Sequence, residues 1–331
     1  MKSFAPNPET PVRGRLAPSP TGHLHLGNAW SFLLCWLAVR SAGGRLVLRM
    51  EDIDPERSRP YFAEEIMRDL AWLGLDWDEG PDLGGPYAPY TQQERLERYA
   101  EVIEALTRLG RTYPCYCTRK ELRTMASAPH LENAGPVYPG TCLGLDVAAC
   151  REREAEGRRP ALRLHGAGET RFDDLLHGEV RLDWAQCGGD FPLRRSDGVI
   201  SYQLAVALDD MDQAINLVVR GADILPCTPR QIFLFDLLQA PVPRYAHVPL
   251  LFDHEGVRLA KRHQSLELRA LREMGISPRA VAGYLGHLAG LLPEGVAVAP
   301  AEIVSEFAWE KIPQGPVVLQ DQAEIVLKGI L

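Results

Sequence analysis

The stretch "VRGRLAPSPTGHLHLGNAWSFLLCWLAVRSAGGRLVLRME", residues 12 to 51, constrains the fold more than any other part of the chain. "VRGRLA" reads as a short strand, and the prolines of "PSPTGHLH" exclude that loop from regular pairing. "LGNAWSFLLCWLAVRSAG" reads as a largely buried helix ended by Gly43 and Gly44, and "RLVLRME" as a β-rich strand. Strand, helix and strand in this order make a βαβ unit, so a parallel sheet is expected, with ligands at the carboxyl ends of its strands. A helix that begins near His25 directs unpaired backbone N–H groups and the positive end of its dipole at whatever lies over the preceding loop. That geometry suits phosphate, and His23 and His25 add donors at the same place.

Further elements follow. The pattern predicts a charged helix from about Tyr61 to Leu73 and another from Thr91 to Leu109, whose apolar face is Leu96, Val102, Ile103, Leu106 and Leu109. From Arg111 to about Arg171 the periodicity fails, and this stretch holds Cys115, Cys117, Cys142 and Cys150, so it reads as an insertion with its own organisation. "VISYQLAVALDDMD", "AINLVVRGADIL", "TPRQIFLFDLLQ" and "YAHVPLLFD" then alternate helix-like and strand-like patterns, as a resumed parallel sheet would. Two short helices are expected between Leu266 and Met274 and between Pro278 and Leu288.

Composition narrows the class. A hydrophobic share of 46% supports a real core, and the absence of an apolar run long enough to cross a bilayer, or of a targeting segment, points to the cytoplasm. Seven cysteines, an odd number, argue for free thiols or a metal site over a disulfide framework. A net charge of −8 argues against general avidity for nucleic acid, so any RNA contact is expected from local basic stretches such as 158–163 and 257–263.

"RLAPSPTGHLHLGNA" resembles the first signature of class I aminoacyl-tRNA synthetases, in the wording of the glutamyl subgroup, with His25-Leu26-Gly27-Asn28 in the place of its HIGH tetrapeptide. Further matches fall in order: "LRMEDIDPERSR" at 48–59, "SYQLAVALDD" at 201–210, "VVRGADIL" at 218–225 and "VRLAKRH" at 257–263, which looks like the KMSKS loop. The fold implied is α/β, the Rossmann-like parallel sheet of that class, with a zinc-binding insertion. The reaction implied is attack of an amino-acid carboxylate on the α-phosphorus of ATP, which calls for positioning and positive charge and not for a covalent nucleophile. The resemblance assigns ATP contacts to His25, Gly27, Asn28 and Lys261, with Mg²⁺ accompanying the nucleotide, and makes His25, Lys261 and Arg258 the catalytic set. Arg258 and Ala260 depart from the usual loop, where lysine and serine stand. L-glutamate is assigned to Arg15, Leu16, Ala17, Pro18, Ser19, Tyr202 and Arg220, with Glu51 receiving its ammonium.

Cys115 and Cys117, followed by Cys142, suit a tetrahedral zinc ion, one per chain, that would organise an insertion without a large core. The resemblance nominates Tyr138 as fourth ligand, whereas His130 or Cys150 would be chemically more ordinary.

The chain divides into a first catalytic half (1–110), the insertion (111–190), a second catalytic half ending in the KMSKS-like loop (191–263) and a helical closing segment with its tail (264–331). Only 68 residues follow His263, too few for a helical anticodon-binding domain. The resemblance therefore narrows to the short glutamyl-queuosine branch of the family, which attaches glutamate to the queuosine base at the wobble position of tRNA(Asp). A monomer is expected. A truncated enzyme charging a tRNA 3′ end, or a non-catalytic paralogue that binds glutamate or ATP, are the alternatives.

Overall fold

The computed structural model describes residues 10–118, 120–122, 137–259 and 266–319. The opening unit has the expected order: β1 (Arg13–Leu16), α1 (Leu26–Ser41) and β2 (Arg45–Leu48), with β1 and β2 parallel and Arg13 level with Arg45. α1 buries residues around most of its circumference, Leu26, Trp30, Leu33, Leu34 and Leu37 among them, because strands cover one side and later helices the other. Gly14 allows the close approach of α1 to β1: a Cβ there would stand 2.4 Å from Val39 Cγ2.

α2 (Pro60–Leu73) is followed by a 3₁₀ turn at Gln92–Arg95 and by α3 (Leu96–Arg108). α3 buries Tyr99, Val102, Ile103 and Leu106. Leu96 and Leu109, expected on that face, are 40% and 67% exposed. They occupy the first position and the cap of the helix, and the 3₁₀ turn directs Gln92 and Arg95 inward instead, onto Asp209 at 2.8 and 2.7 Å.

The stretch without periodicity contains β3 (Thr112–Cys115), α4 (Val147–Ala155), β4 (Ala161–Leu164) and the start of β5 (Glu169–Asp174), and β6 (Gly178–Asp183) and β7 (Phe191–Arg194) follow it. β3, β4 and β7 form an antiparallel sheet of four-residue strands, too short to register as alternation in the sequence. The β5–β6 hairpin leaves that sheet: Asp174 pairs with Tyr245 in the parallel layer.

The resumed layer consists of α5 (Tyr202–Asp212), β8 (Leu217–Gly221), α6 (Thr228–Leu237) and β9 (Arg244–Val248), with β8 and β9 parallel and Arg220 level with His247. β8 also runs beside β1, where the Asn216 N–H donates to the Arg13 carbonyl at 3.0 Å. β10 (Leu251–Phe252), α7 (Leu268–Glu273), α8 (Pro278–Leu288), α9 (Pro300–Ile303) and β11 (Val317–Val318) close the chain against α1 and α2. Among the described residues, no helix is long and apolar enough to cross a membrane.

Candidate active site

The carboxyl ends of β1, β2 and β8 and the amino end of α1 surround a cavity of about 380 Å³. Arg15, Ala17, Pro18, Ser19, Glu51, Tyr202 and Arg220 line it, as do His25, Gly27, Asn28 and Arg258. Residues that the sequence spreads over more than two hundred positions thus meet at the strand ends where an α/β sheet places its ligand. Leu16 is the exception: its side chain is fully buried in the core and does not reach the cavity. Lys261 falls outside the described residues.

His25 caps α1. Its Nδ1 accepts the Gly27 N–H at 3.1 Å, and the Asn28 side chain returns the favour by accepting the His25 N–H at 3.1 Å. With Nδ1 an acceptor, the neutral ring carries its proton on Nε2, a donor for an anion. Gly27 lets the His25 ring lie close over the helix end, since a Cβ there would stand 3.1 Å from it, a tight contact. The capping residue also bridges to Glu267, and Leu268 N–H donates to the Leu24 carbonyl at 2.8 Å. On the other flank of the KMSKS-like segment, Leu259 borders the cavity and Arg258 donates to Asp223 Oδ2 at 2.6 Å. Both flanks of that segment therefore abut the His25 loop or the cavity.

Beneath the cavity lies a buried ionic cluster that the sequence did not reveal. Arg49, fully buried, donates to Asp210 at 2.8 Å, to Glu51 at 3.1 Å and to Gln213 at 3.0 Å, and its Nε lies 3.7 Å from Asp209. Arg15 donates to Asp210 at 3.2 Å and to the Val219 carbonyl at 3.3 Å. Burial pushes the Asp210 carboxyl up, but Arg49 and Arg15 outweigh it and hold the group below the usual carboxylate range. Burial dominates at Glu51, whose carboxyl stays raised although Arg49 and Arg15 oppose it. A cation arriving in the cavity would favour the ionised form of Glu51.

Arg220 differs from Arg15 and Arg49. Its Nε donates to His247 Nε2 at 3.1 Å, its Nη1 to Gln231 at 2.7 Å and its Nη2 to Thr228 at 2.8 Å, all uncharged acceptors. Among the described residues no carboxylate lies within ion-pair distance of it. A buried guanidinium with only neutral partners is a site for an incoming carboxylate.

A second cluster sits in the insertion. The sulfurs of Cys115, Cys117 and Cys142 all lie within 4.8 Å of one another, a spacing that fits three ligands of one tetrahedral ion. The Tyr138 hydroxyl lies 3.4 Å from Cys115 Sγ and accepts the Cys142 N–H at 2.9 Å, so its oxygen borders the thiols. Cys150 lies outside this cluster, on α4, and His130 falls outside the described residues. Burial first, and then Cys115 and Cys142, push the Cys117 thiol up to about 12, and a divalent ion bound among the three sulfurs would pull it down. Of the basic stretch 158–163, Arg163 is buried beneath the Tyr138 ring at 3.8 Å and donates to the Asp190 carbonyl, while Arg158 pairs with Glu121 at 3.1 Å.

The fold and the cavity define an enzyme, a ligase of the aminoacyl-tRNA synthetase type. The family described as tRNA synthetases class I (E and Q), catalytic domain, matches residues 11–311, and the chain belongs to it. It is 58% identical over 308 residues to a protein of Nitratidesulfovibrio vulgaris named glutamyl-Q tRNA(Asp) synthetase, covering 93% of this chain and 95% of that one. A protein of the same name from Symbiobacterium thermophilum is 49% identical over 318 residues, covering 96% and 98%. By contrast, glutamate–tRNA ligase 2 of Acidithiobacillus ferrooxidans is 41% identical, with 92% of this chain matched to 64% of that protein. A crystal structure of the glutamate–tRNA synthetase from Elizabethkingia anophelis superimposes with a TM-score of 0.81 at 27% identity, covering 97% of this chain and 70% of that one.

Proposed function

We propose that this chain activates L-glutamate with ATP to glutamyl-adenylate and transfers the glutamyl group to the queuosine base in the anticodon of tRNA(Asp). The observation that carries the activation step is Arg220, a buried cation with neutral partners, in one cavity with Glu51 and the amino end of α1. The attacking α-carboxylate must stay nucleophilic, and a full guanidinium charge clamped on it would blunt it. Arg220 therefore takes the side-chain carboxylate, and Glu51 takes the ammonium. A glutamine amide would leave Arg220 without its counter-charge, so glutamine is rejected. His25 donates from Nε2 to the ATP phosphates, with Gly27 and Asn28 shaping the helix end, and Mg²⁺ accompanies the nucleotide. Lys261 neutralises the departing pyrophosphate. Arg258, anchored by Asp223, adds charge at the same end of the cavity. What supports the queuosine acceptor is the pair of relatives named for it, which this chain matches almost end to end.

Pyrophosphate exchange tests the activation step. Exchange is expected with glutamate and ATP alone, without RNA. An enzyme silent until tRNA is added would contradict the proposal and favour a shortened glutamate–tRNA ligase.

The insertion is read as a zinc site held by Cys115, Cys117, Cys142 and Tyr138, in which the ion would cross-link a sheet of short strands. About one zinc per chain is expected by elemental analysis of reduced protein. Cys117→Ser should lose it and raise hydrogen exchange in β3 and β4 while α1 keeps its protection. Metal-free protein with a fully protected insertion would refute the assignment.

A further inference from the structure

We infer that Asp174 and His247 are positioning residues that set Arg220 to receive the side-chain carboxylate of glutamate, by fixing which imidazole nitrogen carries the proton. The inference rests on reading the cavity as a glutamate site.

Arg220, His247 and Asp174 stand on three neighbouring parallel strands, β8, β9 and β5. His247 is fully buried, and its Nε2 receives the Arg220 Nε–H at 3.1 Å and faces the Thr228 hydroxyl at 3.0 Å. Two donors converge on that nitrogen, so it must hold a lone pair. The proton is then on Nδ1, which donates to Asp174 Oδ2 at 2.6 Å. Asp174 is itself held in place, since its Oδ1 accepts the N–H groups of Leu176 at 3.0 Å and His177 at 3.1 Å. Thr228 accepts from Arg220 Nη2 and passes its own proton toward His247. The remaining acceptor is Gln231, and Tyr245 lies under the guanidinium at 5.2 Å.

The carboxylate thus acts on Arg220 at one remove. It makes the imidazole a better acceptor without lying against the guanidinium, so the cation is aimed and is not neutralised. Three of the five guanidinium N–H groups are spent on this cradle, which leaves one on each Nη for a substrate oxygen. The groups that face the imidazole are Asp174, Arg220, His177, Thr228, Phe172 and Tyr245. Burial first, with Arg220 beside it, brings His247 down to about 4 against the pull of Asp174, so the ring stays neutral at ordinary pH. Thr228, His247 and Asp174 have the order of a hydroxyl–imidazole–carboxylate triad, yet the Thr228 oxygen is fully buried and already engaged by Arg220. The arrangement positions a cation and does not activate a nucleophile.

Asp174→Asn tests this at constant shape. The amide oxygen keeps the backbone donors of Leu176 and His177 and the His247 N–H at 3.3 Å, so its NH₂ faces the imidazole and drives the ring proton to Nε2, where it opposes Arg220 and Thr228. The KM for glutamate in pyrophosphate exchange is expected to rise about tenfold or more, while the KM for ATP and kcat stay within about threefold. ¹⁵N-histidine NMR should show the His247 proton moved from Nδ1 to Nε2. Thr228→Val, which removes one acceptor from Arg220, should raise the glutamate KM in the same way, and Thr228→Ser should restore it. This second pair decides the matter if Asp174→Asn does not fold. Arg220→Gln runs alongside. If it raises the glutamate KM while Asp174→Asn and Thr228→Val leave it within twofold, the positioning role is overturned. If Arg220→Gln leaves it unchanged as well, the glutamate-site reading falls, and this inference with it.

Discussion

Arg49→Ala is expected to destabilise the fold by about 3–5 kcal/mol, the scale for removing one partner of a buried ionic cluster. Arg49 is fully buried and serves Asp210, Glu51 and Gln213 at once, with Asp209 beside its Nε. The alanine leaves Glu51 without its hydrogen-bonded arginine and Asp210 with Arg15 alone, while Asp209 keeps Arg95. Melting should fall by roughly 10 °C in differential scanning calorimetry. Any folded fraction should bind glutamate poorly, because Glu51 without Arg49 takes up a proton more readily. A variant that melts with the parent would show that the cluster does not carry the floor of the site.

His25→Ala should slow adenylate formation by roughly two to three orders of magnitude, the usual scale for one aimed electrostatic group, and Lys261→Ala should do the same from the KMSKS-like loop. His25 does two things, so one variant is not enough. It caps α1 through Nδ1, and in the proposed reaction it donates from Nε2 to the ATP phosphates. Alanine removes both and should also cost about 1 kcal/mol of stability. His25→Asn keeps a side-chain acceptor for the Gly27 N–H but has no donor at the distance of Nε2, so it should melt close to the parent and still lose the rate. Single-turnover adenylate formation, measured with calorimetry on the same samples, separates the two roles. An asparagine variant with native rates would remove His25 from the chemistry.

Much of this architecture was legible because it is local. The βαβ unit, the α8 segment Pro278–Leu288 and the resumed parallel layer follow from runs of six to eighteen residues read in their order along the chain. The cavity's lining was legible through motifs, and the motifs meet as the βαβ logic requires. What stayed hidden is charge pairing over long separations. Asp209 and Asp210 end the "SYQLAVALDD" motif with no basic residue near them in the sequence, yet both are buried, because Arg15, Arg49 and Arg95 arrive from far upstream to meet them. Two aspartates directly after the apolar "LAVAL" were the available signal, since a buried helix face tolerates them only when paired. His247 and Asp174 were hidden for the same reason: they are 73 positions apart, and only the pairing of β5 with β9 brings them together. Arg163, read as part of a basic patch, is buried for a matching cause, stacked on Tyr138 across the insertion.

The acceptor is the central claim, and the position of the transferred glutamate tests it most directly. Radiolabelled glutamate, ATP and this enzyme are incubated with two preparations of tRNA(Asp), one from cells that make queuosine and one from cells that cannot. The glutamyl group needs a hydroxyl, and the cyclopentene ring of queuosine supplies a vicinal pair, so label should enter the first preparation and not the second. After nuclease digestion it should stay with the anticodon fragment. Equal labelling of both preparations, or label released with the terminal adenosine, would contradict the account and place this chain with enzymes that charge a tRNA 3′ end.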